Sequence, residues 1–333
     1  MLRFPLDITC VIFELLPKSS REVLLSDCAK ESSCDHPLVA AVANSLSREE
    51  KHQVFVDTCA KDSIKTVQSL IRIAQIKRQN VSGGLAYSAE RNEHPLLAAC
   101  SNEDPSVAEC VINVGMGVDN IRGYNNAVLR FACATGRADL VRLFFRRGLT
   151  AKDAEDSNGL YAACRGGHNE IVWLLYRHGV SIDHVRANNA SGLGEACEKG
   201  FTKIVQLMLM WGLDWRDVFG GPFLTAAGYH NNDIIQLFLD MGITADAIRD
   251  DYQFLVDLSE VGNLWTIKQV FALGLTINDV RATNYEVVLV PWRHEKPEVF
   301  AFFIRMLAPE DIIAIEEVEP GFADCDDVKN ILG

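Results

Sequence analysis

The chain has 333 residues, 48% of them hydrophobic and 23% charged, with a formal net charge of −13. These proportions exclude a disordered tail, a coiled coil, collagen and a membrane bundle. The acidity argues against a broad nucleic-acid or anionic-membrane surface, so neither is expected as a partner. The length allows two ordinary domains or one long repeat array. Ten cysteines raise the question of disulfides, metal ligation or packing.

Residues 1–51 stand apart from the rest of the chain as a helical N-terminal module. The stretch from Met1 to Pro17 is apolar but carries Arg3, Asp7 and Glu14, which interrupt the run a secretory signal needs. Other apolar stretches, such as Val287-Val-Leu-Val290, fall far short of the roughly 20 residues that cross a bilayer. An intracellular, cytoplasmic protein with reduced thiols is therefore expected. Within the module, Phe4, Pro5, Ile8, Ile12, Phe13, Leu16 and Pro17 place apolar residues at helical spacing between two prolines. That segment resembles the opening of an F-box, the short helical module that docks on the Skp adaptor of cullin ubiquitin ligases. Val23, Leu24, Cys28 and His36-Pro-Leu-Val39 continue the likeness, while the aromatic often found later in that motif is absent. The resemblance implies Skp docking through Pro5, Ile8, Ile12, Phe13, Leu16 and Pro17. The residues by themselves, given how short the motif is, favour a cap over the apolar edge of the first repeat.

From residue 52 to 317 the sequence repeats. One glycine recurs with similar followers at Gly115, Gly148, Gly179, Gly212, Gly242 and Gly274, spaced by 33, 31, 33, 30 and 32 residues. Each follows a helical run such as Glu170-Ile-Val-Trp-Leu-Leu-Tyr176, so it is read as a helix stop in the left-handed conformation. An aliphatic residue comes next (Leu149, Val180, Leu213, Ile243, Leu275) and is expected in the core. Two residues after the glycine stands Thr150, Ser181, Asp214, Thr244 or Thr276, the residue types that cap helix N-termini. Apolar residues three and six positions after the glycine (Ile182 and Val185, Ile277 and Val280) put one face of a short helix against the core. Asn125, Asn158, Asn189 and Asn284 close units and are expected to cap the next helix. Fifteen positions before each glycine lie Cys100, Cys133, Cys164, Cys197, Ala227 and Ser259, usually preceded by alanine, which lets a first helix pack closely on its neighbours. The unit is thus helix, tight turn, helix, glycine stop and short capped helix, about 32 residues long and present in about eight copies. Stacking such units makes one continuous core. His52 to Ala74 fits a further helix pair, a loop insertion is expected around Asn80-Val-Ser-Gly-Gly84, and Val287-Val-Leu-Val-Pro291 reads as a distorted last unit. Met306-Leu-Ala-Pro-Glu-Asp-Ile312 replays the glycine segment with Pro309 at the first helical position.

The stretch Cys164-Arg-Gly-Gly-His168-Asn-Glu-Ile-Val172-Trp-Leu-Leu175-Tyr-Arg-His-Gly179 resembles an ankyrin repeat in its Gly-His turn and Ile-Val-x-x-Leu-Leu helix, and Cys133 to Gly148 is similar. The usual Thr-Pro-Leu-His opening is missing, with only His94-Pro-Leu-Leu-Ala-Ala99 near it. The Gly-Leu-Thr-x-x-Asp-Ile-Arg type of segment stands where ankyrins carry a β-hairpin finger, a variant similar to ankyrin proteins of large DNA viruses of amoebae. The resemblance implies an all-α, ankyrin-type α-solenoid that scaffolds protein–protein interactions, in a virus–host setting.

No motif of catalysis is found: no Gly-x-Ser-x-Gly, no phosphate-cradling glycine loop and no His-Glu-x-x-His. No enzyme activity, cofactor or catalytic residue is expected. Cys59, Cys100, Cys133, Cys164 and Cys197 share one repeat position, one per unit, where a free cysteine packs as a small apolar residue. Ligands of one metal must converge, so no metal is expected. His168 at the ankyrin turn should make a structural hydrogen bond. For partner binding, the first-helix ends after the Ala-Cys step supply Arg165, Glu198, Lys199, Tyr229 and Glu260. Tyr229 is the preferred anchor, because aromatics dominate interface energetics; Trp215, in an aromatic-rich unit with Trp211, Phe219 and Phe223, occupies a position that is usually core. Residues 318–333 form an acidic C-terminal segment, and the run from Glu310 to Asp327 reads as a solvated face or tail, or as a seal on the last repeat with Asp326 to Leu332 helical.

Overall fold

A computed structural model describes residues 95–113, 118–187 and 191–332, with scattered helical positions between 56 and 68. Every regular element among the described residues is a helix, and the fold is an all-α, ankyrin-type solenoid. The chain divides into two compact units, Met1–Val180 and Ser181–Gly333. The proposed docking residues Pro5, Ile8, Ile12, Phe13, Leu16 and Pro17, and the insertion around Asn80, lie outside the described residues.

A repeat consists of three helices. In the second unit these are Ser191–Glu198, Thr202–Trp211 and Trp215–Val218, then Gly221–Gly228, Asn232–Asp240 and Ala245–Asp250, then Tyr252–Val261, Leu264–Ala272 and Ile277–Ala282, then Glu286–Arg293, Pro297–Ile304 and Pro309–Val318. The middle helix shows why: Ile234, Ile235 and Phe238 fall on one face and are fully buried, while Asp233 and Gln236 face solvent. First helices pack on one another, as Gly221–Gly228 does on Ser191–Glu198 and on Tyr252–Val261. The small residues predicted at that contact are fully buried: Ala132 with Cys133, Ala163 with Cys164, Ala196 with Cys197, and Ser259. Ser259 shows how a hydroxyl is accommodated there, since its Oγ donates to the Val256 carbonyl 2.7 Å away.

The register glycine ends the second helix with φ from +90° at Gly179 to +122° at Gly212, a region closed to most L side chains. The following aliphatic is buried in each described unit. The next residue caps the short helix: the Thr244 hydroxyl accepts from Ala247 N at 3.2 Å, and the Ser181 hydroxyl from His184 N at 3.1 Å. Of the two apolar positions, the sixth is buried (Val185, Val218, Ile248, Val280), whereas Ile182 and Ile277 at the third are only half-buried. The asparagines act differently from the expectation. Asn158 makes no side-chain cap; its backbone is left-handed (φ +54°), and the preceding Ser157 Oγ accepts from Gly159 N at 3.1 Å. Asn126 and Asn284 also have positive φ, so asparagine reverses the chain here through its tolerance of that conformation.

One interaction recurs from repeat to repeat and was given no role in the sequence. The aspartate five residues after the register position accepts from the backbone N–H of its own N-cap residue: Asp279 from Thr276 N at 2.7 Å, Asp311 from Ala308 N at 2.8 Å. The same carboxylate takes a forked pair of bonds from an arginine in the preceding repeat. Arg122 reaches Asp153 at 2.8 and 3.1 Å, Arg186 reaches Asp217 at 2.9 and 3.0 Å, and Arg281 reaches Asp311 at 2.7 and 3.1 Å. Arg249 reaches Asp279 at 2.8 and 3.3 Å and also donates to the carbonyl of register Gly274 at 3.0 Å. Tyr252 and Tyr285 add hydroxyl donors to Asp279 and Asp311. Asp311, in the acidic run read as a solvated face or as a seal on the last repeat, is 1% exposed, as the second of these requires. At the same end of the chain, Phe322 is buried against Trp292 and Phe300, and helix Asp326–Leu332 packs on Pro297–Ile304.

Removing the buried Asp279 carboxylate takes the acceptor from the Thr276 N–H, the Tyr252 hydroxyl and the exposed Arg249 guanidinium. Asp279→Ala is therefore expected to cost about 2 kcal/mol, while Asp246→Ala, at an 87% exposed side chain also paired with Arg249, costs under about 0.5 kcal/mol; denaturant unfolding followed by circular dichroism separates the two. Hydrogen bonding to Arg249 and Arg281, outweighing the opposing effect of burial, holds the Asp279 and Asp311 carboxyls down at about 2. Unfolded aspartates titrate near 4, so the unfolded chain takes up these protons first as the pH drops. The stability from these sites is complete above about pH 4 and is lost toward about pH 2, and an acid titration of the unfolding midpoint of wild type against Asp279→Asn reads the difference.

Candidate partner-binding surface

The sequence-derived binding residues lie where first helices end. Arg165 is exposed on Gly159–Gly166 in the unit 1–180. The other four belong to the second unit: Glu198 is the last residue of Ser191–Glu198 and half-buried, Lys199 follows it in the turn and is exposed, and Tyr229 is 58% exposed at the end of Gly221–Gly228. Glu260, near the end of Tyr252–Val261, is exposed with its Oε1 3.5 Å from His294 Nδ1. These helices pack in sequence, so the four side chains stand at successive steps of one array. Trp215, read as core, is half-buried, with Phe219 edge-on at 6.0 Å and the Arg216 guanidinium over its ring at 4.8 Å. Phe223 is fully buried.

The turn that follows each first helix gives the surface its shape. Its side chain donates to the carbonyls left open at the end of the preceding first helix. Asn231 Nδ2 reaches Cys197 O at 2.6 Å and Glu198 O at 3.1 Å, Asn263 Nδ2 reaches Ala227 O at 3.0 Å, and Arg137 reaches Cys100 O at 3.2 Å. His168 has the structural bond expected of it, with Nε2 3.0 Å from Ala134 O. The residue before each of these turn side chains has a left-handed backbone. In most repeats it is glycine, and at Gly200 a Cβ would lie 2.7 Å from Asn231 Oδ1, so conformation and space both select it. In the repeat of Tyr229 that place is taken by His230, with φ +56° and an exposed side chain.

Tyr229 and His230 stand beside a shallow depression of about 220 Å³ lined by Gly200, Thr202, His230, Asn231, Asn232 and Asp233. The sequence reasoning missed His230 and its polar neighbours, although a signal was present: Gly136, Gly167, Gly200 and Gly262 hold the equivalent place, and only His230 and the Glu295 of the last repeat depart from glycine among the repeats with a left-handed residue there.

Burial pushes the Cys133 and Cys197 thiols up to about 12, so neither supplies a thiolate at neutral pH. Among the described residues, no group of three or more His, Cys, Asp or Glu is placed to hold a metal ion. Nor is any helix among them long and apolar enough to cross a membrane.

Residues 129–218 match the family model described as ankyrin repeats (3 copies), and the all-α repeats described above are of the same ankyrin type.

A non-glycine residue held at positive φ carries a cost of about 1 kcal/mol. His230→Gly should remove it and raise stability by about 0.5–1 kcal/mol, visible as a higher thermal midpoint; Gly200→Ala, which meets both the strain and Asn231, should lower it.

Proposed function

We propose that the array holds one partner protein along its exposed first-helix ends and turns, centred on Tyr229 and His230. The observation that carries this reading is the pairing of an exposed aromatic with a histidine at a turn position that is glycine at Gly136, Gly167, Gly200 and Gly262 and otherwise non-glycine at positive φ at Glu295. A strained position that a glycine would relieve is retained at a cost in stability, which is the pattern of a surface kept for contact. Lys199, Glu198 and Glu260 give this surface charge of both signs, suited to orienting a partner at the rim, while Tyr229 supplies the apolar anchor at the centre. Arg165 stands at the corresponding first-helix position of the unit 1–180, taken by itself.

A second reading adds ubiquitin-ligase docking, supported by the F-box-like run from Pro5 to Pro17. In it the array selects a substrate protein and the N-terminal module delivers it to the Skp adaptor of a cullin ligase, in a virus–host setting. Without that docking, the same array acts as a plain scaffold or as a decoy that blocks a host factor.

Quantitative affinity capture compares the wild-type chain with Tyr229→Ala and Lys199→Glu. Interface anchors of this type carry 2 kcal/mol or more, so recovery of the partner should fall about thirtyfold for Tyr229→Ala and less for the rim lysine. Equal recovery by all three proteins would place the interface elsewhere. Ile12→Asp with Phe13→Asp should abolish Skp capture while leaving the partner bound; a Skp adaptor that ignores wild type and variant alike removes the ligase reading and leaves the scaffold.

A further inference from the structure

The second helices carry a different surface. In the unit 1–180, Ala138–Arg146 and Asn169–Arg177 pack side by side and bury Leu140, Val141, Phe144, Ile171, Val172 and Leu175. Their solvent sides meet in a cleft of about 460 Å³ lined by Arg142, Arg146, Trp173, Leu174, Arg177 and His178. Trp173 is 40% exposed, and the Arg177 guanidinium lies over its ring at 4.8 Å from the centroid. His178 closes the cleft as an aromatic wall, stacked on Phe145 with centroids 3.9 Å apart.

The charges in the cleft are not balanced. Arg142 is paired with Glu170, and the adjacent Arg147 with Glu109 at 3.1 Å. Arg146 and Arg177 meet no carboxylate among the described residues. Two unmatched guanidinium groups beside an exposed tryptophan are unusual on a chain of net charge −13. Guanidinium forks match carboxylates in geometry as well as in charge, and the cleft volume falls within the range of roughly 300–1,000 Å³ that takes a small ligand or a short side-chain cluster.

We propose that this cleft is a second docking site, which takes a short acidic peptide segment of a partner protein. Its carboxylates pair with Arg146 and Arg177, and an apolar side chain of the segment lies on Trp173. A nucleic acid is the poorer occupant, because an extended polyanion needs a run of cations and would pass from these two onto an acidic surface. The site is independent of the first-helix ends around Tyr229, so either can fail without the other.

Fluorescence anisotropy of the full chain with a fluorescein-labelled hexaglutamate peptide reads the site. The expected result is saturable binding that weakens as salt is raised and drops at least about tenfold in the Arg146→Gln, Arg177→Gln double variant. Tryptophan quenching on binding should vanish in Trp173→Phe, a single exposed change that tests the cleft separately should the double variant unfold. Absence of hexaglutamate binding by the wild type, or equal binding by a folded double variant, overturns the proposal. Tighter binding of a labelled single-stranded oligonucleotide, or a dimer in sedimentation that depends on the two arginines, also overturns it by assigning the cleft to nucleic acid or to a second copy.

Discussion

A carboxylate matched by the arginine of the preceding repeat ties neighbouring repeats together at Asp153, Asp217, Asp279 and Asp311. Asp153, Asp279 and Asp311 are each almost fully buried, and each accepts both from its own helix start and from an arginine of the repeat before. A lone ionised carboxylate at such depth would be prohibitively costly. Here the helix start supplies oriented N–H groups, and the neighbouring arginine supplies two more donors and the opposite charge. The short capped helix is six residues or fewer in most repeats, too short to persist without outside contacts. The arginine makes its start part of the next layer. Helix formation and stacking are thereby one event, as expected of a fold whose repeats have no core of their own.

The turns supply the other half of the stacking. Asn231, Asn263, His168 and Arg137 differ chemically, yet each donates to the open carbonyls at the end of the preceding first helix. What they share is a donor of the right reach, so composition varies while the bond persists. The left-handed glycine of the preceding repeat is covered by that donor, Gly136 by His168 and Gly200 by Asn231, which leaves little room for a side chain there. His230 and Glu295 are non-glycine residues at this place with exposed side chains, and the candidate surface is built at the first of them. The cleft around Trp173 arises differently, from the solvent faces of two second helices whose buried faces follow the ordinary amphipathic pattern. Interaction surfaces of two kinds can thus share one scaffold, because stacking uses only one face of each helix and one side of each turn.

Much of this was written in the sequence, and some of it went unread. Glycine, the aliphatic after it, the Thr or Ser cap and the Ala-Cys step are local or strictly periodic, and the structure places each as read. The arginine–aspartate link was present as a correlation: Arg122, Arg186, Arg249 and Arg281 are each followed, one repeat later, by Asp153, Asp217, Asp279 and Asp311, whereas Glu155 and Phe219 in the arginine's place are followed by His184 and Ala247. It was overlooked because each member, taken alone, passes for an ordinary surface charge. Asp311 hides in the same way, as one acid among many near the end of the chain.

The sequence by itself determined the repeat, its three-helix content, the small residues at the helix contact and the glycine stop, because a helix period and a cap depend on residues within a few positions of one another. Only the tertiary structure decided which polar groups are buried and matched, that Asn158 turns the chain by its backbone and not its amide, and that His230 with Tyr229 and Arg146 with Arg177 stand free for other molecules. Those outcomes depend on what the neighbouring repeat brings within about 3 Å, the reach of a hydrogen bond, and stacking alone sets that distance.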